Sequence, residues 1–339
     1  MKAIGILSAF VVMFSLSGVA GAWESDGLRL RGRMQTRWQV EDSEGDWSNQ
    51  FILRRARVDG RWQVLDWLRM DLEFEGSDGV ELKDAYARIE PWSFLKLTVG
   101  QFKKPFSRLR RESPWSLVIP ERGLLDDAVV RKTSHGGFGG RDLGAMLGGN
   151  FEAGLKMRYA LGVFNGDGAI DGRDEQHTDY VGRFQIRLIK GLLLAINANH
   201  KLIFLGDRHL TANLFGADLR WTLGPFRLQA EAAYGDNPSA GSGHRLVGGH
   251  LVLSWRWEVK PGWTLIPAAM AEVLDPDDAV EGYGWRLAGA LNLDVGEHLR
   301  LVLSGEGAFG DLDATDAHSG AVSALNAPMR IFAQVNVMY

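Results

Sequence analysis

The stretch from Leu28 to Val40 has the sequence LRLRGRMQTRWQV. One parity of this stretch is mostly apolar, with Leu28, Leu30, Met34, Trp38 and Val40. The other parity is basic or polar, with Arg29, Arg31, Arg33, Gln35, Arg37 and Gln39. A side-chain period of two predicts a β-strand that has one apolar and one aqueous face. Because soluble β-sandwiches also contain such strands, the fold class depends on the rest of the chain.

The same alternation recurs along the whole chain, in about sixteen segments, most of which have about 9 to 14 residues. Typical globular strands have about 5–6 residues, whereas tilted membrane strands need about 9–11. The predicted strands are 28–40, 50–64, 67–75, 80–90, 94–102, 141–149, 155–164, 178–188, 192–203, 209–222, 226–235, 244–257, 263–273, 284–295, 298–309 and 328–339.

The predicted connections alternate in length. Every second gap is short, as at Leu65-Asp66 and Gly296-Glu297, and most of the others are long and polar. Aromatic residues flank the short gaps, at Trp62, Trp67, Trp92, Phe94, Trp221, Phe226, Trp257 and Trp263. Short turns at one rim, long loops at the other and an aromatic girdle are typical of outer-membrane barrels. The sequence therefore predicts an all-β fold, a transmembrane barrel of sixteen antiparallel strands with a polar lumen.

The first 22 residues are predicted to be a cleaved signal peptide. Lys2 supplies the positive start, Ile4 to Val19 is apolar, and Ala20-Gly21-Ala22 is a small-residue cleavage site. Residues 23–339 would then form the barrel domain, exported to the outer membrane of a Gram-negative bacterium.

Composition excludes several functions. The 339 residues include no cysteine, so disulfide scaffolds, thiol enzymes and cysteine-ligated metals are excluded. The net charge of −4 gives no global attraction to nucleic acid. No nucleophile or metal-ligand constellation emerges, so we predict neither an enzyme nor a cofactor or metal site. A barrel of sixteen strands encloses water, which the many inward-parity charges require, and we predict a channel.

Four segments resemble the phosphate-selective porin O and P family: Gly100–Phe106, Gly162–Gly168, Phe51–Arg57 and Leu82–Tyr86. The resemblance is best from the first strand to about Arg187. It implies a trimeric barrel with an inward-folded third loop and a basic, anion-selective pore. The partners it implies are small permeating anions, a homotrimer, and outer-membrane lipid and lipopolysaccharide.

The basic residues indicate where anions would bind. Arg29, Arg31, Arg33 and Arg37 on the first strand and Arg55, Arg57 and Arg61 on the second share one face, so they would form one positive wall. The third loop, 103–140, adds Lys103, Lys104, Arg108, Arg110 and Arg111. Between Lys96 and Lys132 there are nine basic and four acidic residues, an excess of five positive charges. Guanidinium groups suit phosphate, carboxylate and sulfate oxygens.

Two interpretations remain open. If the third loop folds into the lumen, Arg108, Arg110 and Arg111 would set the selectivity of an anion channel for solutes such as phosphate or polyphosphate. However, Asp71, Glu73, Glu75 and Asp84 are predicted to face the same lumen. If these acids neutralise the arginines, the protein would be a general diffusion porin with little ion preference.

Overall fold

The structure is a computed structural model that describes residues 23–25, 27–43, 46–130, 137–166, 177–205, 208–237, 243–279, 282–310 and 329–338. The predicted signal peptide, 1–22, lies outside the described residues. The wall strands are β1 (Leu28–Ser43), β2 (Asp46–Leu65), β3 (Leu68–Glu75), β4 (Glu81–Trp92), β5 (Leu95–Lys103), β6 (Arg141–Ala153), β7 (Leu155–Phe164), β8 (His177–Ile189), β9 (Leu192–Leu205), β10 (Arg208–Leu223), β11 (Phe226–Asp236), β12 (Arg245–Trp255), β13 (Trp263–Asp275), β14 (Gly284–Val295), β15 (Leu299–Gly310) and β16 (Met329–Met338).

These strands close into a barrel. Each strand pairs antiparallel with the next, and β16 pairs with β1. The described residues contain eighteen strand segments. One of them, Trp23–Ser25, pairs with the start of β1 outside this series, and another, Trp257–Lys260, continues β12 along β13. Eighteen segments minus these two leave sixteen wall strands, so the predicted fold class is confirmed.

The alternation in the sequence determines which face of each strand points out of the barrel. In β14, Trp285, Leu287 and Leu291 are exposed on the outer face, while Arg286 and Asn292 are buried on the inner face. Exposed apolar side chains cover the outside in the same way on other strands, including Leu253, Leu303 and Val335. An apolar outer band is what a barrel needs in a membrane, where no water solvates polar groups.

The aromatic residues lie where the sequence predicts them. Trp62, Trp67, Trp92, Phe94 and Trp257 are all about half exposed, next to the short connections. Amphipathic rings are favoured at the boundary between lipid and water, so this position is typical of an interfacial girdle.

The first long connection predicted from the sequence, residues 41–49, is wrong. The ladder between β1 and β2 continues through this segment, from Val40 opposite Asn49 to Ser43 opposite Asp46. The polar residues of this segment do not form a loop. They extend the hairpin of β1 and β2 beyond the apolar band. The same ladder contains a β-bulge, because Gln35 lies opposite Arg55 and Thr36 lies opposite Leu53. The bulge inserts Arg54 as an extra residue.

Two short helices, α1 (Arg108–Arg111) and α2 (Leu124–Val130), lie in the connection between β5 and β6. No helix among the described residues is long and apolar enough to cross a membrane. The described apolar core lies inside the barrel, where loop residues such as Leu117 and Leu124 pack against inward-facing wall residues such as Val302 and Leu274.

Candidate functional site: the lumen and its third loop

The third loop, here residues 104–140, contacts the inner face of the barrel on several sides in its described parts. Glu121 pairs with Arg37 of β1 at 2.5 Å, and Arg108 pairs with Asp218 of β10 at 2.7 Å. The carbonyl of Val118 accepts a hydrogen bond from Asn292 of β14 at 2.9 Å. Because these partners share the inward parity of their strands, the described part of the loop lies on the lumen side of the wall.

The loop turns sharply into α1 at Ser107. This residue has a φ of +61°, which is uncommon for a side chain other than glycine. The conformation is stabilised locally, because the Ser107 hydroxyl accepts a hydrogen bond from the amide of Arg110 at 3.1 Å, and the Ser107 amide donates to Asn197 of β9 at 2.8 Å.

Most arginines on β1 and β2 face the lumen side and are paired with acids. Arg33 contacts Asp59 and Glu73, both at 2.6 Å, and Arg57 contacts Glu73 and Glu75. Further pairs on this wall are Arg29 with Glu24, Arg31 with Asp59, and Arg61 with Asp71. The predicted positive wall therefore has most of its charge compensated by the acids that the sequence also predicts to face inward.

The bulge in β2 gives this wall one more inward arginine, which the strict alternation did not predict. Arg54 and Arg37 both contact Glu121, at 3.3 and 2.5 Å. Burial alone would raise the pKa of Glu121, but the charges of Arg54 and Arg37 outweigh it and hold that pKa below its ordinary value. Arg55 donates to Gln35 at 2.7 Å and makes no ion pair within the described residues.

The two predicted lysines do different things. Lys103 donates to the backbone carbonyls of Arg110 and Glu112, at 3.0 and 3.1 Å. Lys104 is fully buried and ion-paired with Asp179 and with Asp142, the latter at 3.5 Å. Burial alone would lower the pKa of Lys104, but the two carboxylates outweigh it and raise that pKa.

The prediction that Lys104 lines the pore is therefore wrong. Its ammonium belongs to a buried ionic cluster with Asp142 and Asp179. The cluster also includes Lys201, which pairs with Asp179 at 2.6 Å. This cluster fastens the start of the third loop to β6, β8 and β9. No lumen-facing part of Lys104 remains exposed.

The three arginines of α1 differ in whether they form an ion pair. Arg108 is paired with Asp218, and Arg110 forms a two-point contact with Asp126 of α2. Arg111 faces lumen water and has no ion-pair partner among the described residues. Desolvation inside the barrel and the positive charges of Arg183 and Arg108 lower the pKa of Arg111 to about 10. Its guanidinium therefore stays charged at neutral pH.

Below α1, towards the short turns, the inner wall carries several arginines that form no ion pair among the described residues. A cavity of about 370 Å³ lies between α1 and strands β4 to β8. Its lining contains five basic residues and no acidic residue: Arg88, Lys96, Arg111, Arg158 and Arg183. A second cavity of about 400 Å³ shares Asn150, Arg158 and Gln185 with the first and extends to Ser93 at the rim.

We call the uncompensated cations of this region the basic arc. They share the inward parity of their strands, or in one case belong to α1, and none forms an ion pair within 4.0 Å among the described residues. The basic arc consists of Arg88, Arg111, Arg158, Arg187, Arg220 and Arg227. Sequence alternation predicts that Arg158 and Arg187 face inward. It does not show which of the inward arginines lie within ion-pair distance of an acid. Most of the acids that pair with the arginines of β1 and β2 lie on β2 and β3, and their distances follow from the pairing of these strands.

No group of three His, Asp or Glu side chains in the described ranges is close enough to hold a metal ion. The site is a set of fixed charges on the inner wall of the barrel and on the third loop. Such a site can attract, orient and release ions without any chemical step.

The closed barrel, its apolar outer band and its charged lumen define the class of this protein, an outer-membrane β-barrel of the porin type. The family model of the phosphate-selective porins O and P matches residues 28–192, which confirms the resemblance seen in the sequence. No curated protein sequence matches the chain.

Solved structures with the same fold share little sequence with it. The anion-selective porin from Comamonas acidovorans has a TM-score of 0.70 and 11% identity, covering 92% of this chain and 99% of that chain. OmpF of Salmonella typhi, in complex with daunomycin, has a TM-score of 0.69 and 10% identity, covering 94% and 100%. The outer-membrane channel DcaP of Acinetobacter baumannii has a TM-score of 0.61 and 13% identity, covering 95% and 100%. At these identities the likeness supports the fold alone.

Proposed function

We propose that the protein is an outer-membrane channel through which small hydrophilic solutes diffuse passively, with a preference for anions. The observation that carries the preference is the basic arc, whose six arginines have no acidic partner among the described residues. Fixed charges of one sign within a low-dielectric wall concentrate counter-ions and repel co-ions. Anions should therefore be enriched on the short-turn side of the third loop.

The predicted positive wall on β1 and β2 has a smaller part in this proposal than the sequence suggests. Its arginines and acids alternate within 2.6 to 2.9 Å of each other, so their fields largely cancel at a distance. Arg55 is the exception, because it donates to Gln35 and forms no ion pair among the described residues. In the proposal, anions enter the basic arc at Arg111, its member on α1, which is exposed.

The geometry of the arc suits oxyanions. Arg111, Arg158 and Arg88 line one cavity, beside the amide groups of Asn150 and Gln185. Several guanidinium groups around one cavity can hold the oxygens of phosphate, sulfate or a carboxylate. We extend the proposal to phosphate and polyphosphate, since adjoining cavities that share Arg158 offer successive weak sites, and such sites allow release as well as entry.

A general diffusion porin with little ion preference is the second candidate. The ion-paired wall of β1 to β3 favours it, because alternating charges on one side of the lumen are compatible with passage of both ion signs. The two candidates differ in whether the basic arc governs the ionic current.

The proposal also includes export by cleavage after residue 22, contact of the apolar band with outer-membrane lipid and lipopolysaccharide, and assembly as a homotrimer. The exposed apolar side chains support the lipid contact. One solved neighbour is described as a trimer form, a property of that protein, OmpT of Vibrio cholerae.

Ion substitution in planar bilayers tests the function. The purified protein should give stepwise conductance in KCl. Replacing chloride by the bulky anion gluconate should lower the conductance strongly, and replacing potassium by the bulky cation tetraethylammonium should lower it little. Equal effects of the two substitutions would support the general porin, and a folded barrel without any conductance would contradict a channel.

A further inference from the structure

A row of ionisable side chains crosses the inner face of five adjacent strands. Asp218 of β10 lies opposite Glu231 of β11, and Glu231 lies opposite His250 of β12. His250 in turn lies opposite Glu272 of β13, which lies opposite Arg286 of β14. All five are buried. Side chains directly opposite each other on one sheet face are about 5 Å apart, so the charge state of each affects its neighbours.

Glu231 holds the start of α1. Its Oε2 accepts hydrogen bonds from the backbone amides of Arg108 and Leu109, at 2.9 and 3.1 Å. The Arg108 guanidinium is directed to Asp218 instead, and no basic side chain within the described residues forms an ion pair with Glu231. The negative charge of Glu231 is therefore compensated mainly by two loop amides.

Glu272 holds the start of α2 in the same manner. Its Oε1 accepts a hydrogen bond from the amide of Leu125 at 2.9 Å. Gly123 approaches the same carboxylate so closely that a Cβ there would lie 2.1 Å from Oε2, and its φ of +94° is in the left-handed region. Glu272 also lies 3.4 Å from Arg286.

We propose that Glu231 and Glu272 are positioning residues that hold the third loop across the lumen, and that proton uptake by the row they form with His250 loosens this loop in acid. The proposal rests on the proposed channel function but not on its ion preference. A proton on either carboxylate removes the charge that strengthens its bonds to the loop amides. A proton on His250 offers both carboxylates a competing partner within their own row. Both routes weaken the same two attachments.

Other charged groups face this row from the surrounding elements and are already paired. Arg183 of β8 pairs with Asp218, Arg110 pairs with Asp126, and Arg286 contacts Glu306 of β15, which also pairs with Arg330 of β16. The backbone carbonyl of Glu121 accepts a hydrogen bond from Arg286. Asp127 of α2 faces lumen water and would add its own titration. It is therefore removed from the test by Asp127→Asn.

The test records single-channel currents of the full-length Asp127→Asn protein in planar bilayers between pH 8 and pH 4. We expect a steady open state at pH 7 and frequent closures or substates as the pH falls. Adding Glu231→Gln, which keeps the shape but not the charge, should raise the closure frequency at pH 7 by about tenfold, the change for losing part of a charge-assisted hydrogen bond. Glu231→Gln with Glu272→Gln should remove most of the remaining dependence on pH.

Two further variants keep the result interpretable. Glu258→Gln removes an exposed acid outside the row and should leave the pH profile unchanged. His250→Gln retains both carboxylates and should shift the closures to lower pH. This variant still tests the proposal if the glutamate variants fail to form barrels. A parent channel whose closures are independent of pH, or closures that neither the glutamate nor the histidine substitution alters, would overturn the proposal. A channel without anion preference that still shows these shifts would contradict the proposed ion preference. It would still support the role of Glu231 and Glu272 in holding the third loop.

Discussion

Arg108 of the third loop and Asp218 of β10 form an ion pair of 2.7 Å, and the same carboxylate pairs with Arg183 of β8 at 2.6 Å. One buried acid thus compensates two arginines, one from the loop and one from the wall. These two ion pairs share Asp218, and the first of them attaches α1 to the barrel wall.

Asp218→Asn should leave both arginines without a countercharge. Breaking a buried pair by removing one partner costs about 3–5 kcal/mol, so the free energy of unfolding should fall by that order. The folded fraction should become more anion-selective. Urea unfolding in detergent and the zero-current potential measure the two effects. Glu152→Gln is the control, because its partner Lys156 lies 3.9 Å away in an exposed pair, where the effect should stay below about 1 kcal/mol.

Lys104→Met should destabilise the protein without changing its ion preference. The buried cluster would keep Asp142 and Asp179 but lose one of its two cations, at a cost of about 3–5 kcal/mol. Exposed Lys190→Met serves as the control. A change in selectivity at unchanged stability would mean that Lys104 does face the pore.

Asp127 should make the ion preference depend on pH. Desolvation inside the barrel, with the charges of Asp126 and Glu121 adding to it, raises the pKa of Asp127 from 3.8 to about 7. The folded protein therefore holds this proton up to near pH 7, whereas the unfolded chain releases it near pH 4. The associated stability is complete below pH 4 and is lost as the pH rises through 7.

The same titration changes the charge in the lumen. The channel should be more anion-selective at pH 6 than at pH 8, because Asp127 is neutral at the lower pH. In Asp127→Asn the selectivity should stay at the low-pH value. Zero-current potentials at the two pH values check this, and an equal difference in the variant would assign the titration to another group.

Phosphate should block the chloride current by occupying the cavity that Arg88, Arg111 and Arg158 line. Arg158→Gln should weaken this block by about tenfold, the loss expected for one charge-assisted contact of about 1.4 kcal/mol. Arg245→Gln is the matched control, because Arg245 bonds to Tyr234 on the outer face. Chloride currents measured at increasing phosphate concentrations give the inhibition constant of phosphate for each protein.

Strand number, the faces of the strands and the position of the aromatic girdle all follow from the sequence, because each is a local property of period or spacing. Arg286, for example, is buried and inward by parity alone. Arg54 was missed because a bulge is a property of two paired strands, and its position depends on the register between Gln35 and Arg55.

The candidate site was less predictable than the fold. Alternation placed Arg33 and Arg57 on the lumen face, but not their distances to Glu73, which is 40 and 16 residues away in the chain. Conversely, Arg88 and Arg158 meet in one cavity from different strands. Compensation of charge depends on contacts between strands, and these become visible once the barrel is closed.

The zero-current potential under a KCl gradient tests the central claim most directly. The wild-type channel should be clearly anion-selective, and Arg88→Gln with Arg158→Gln and Arg187→Gln should move the potential towards zero, while Arg245→Gln should leave it unchanged. A wild-type potential near zero, or an anion-selective potential that the triple variant leaves intact, would contradict the account.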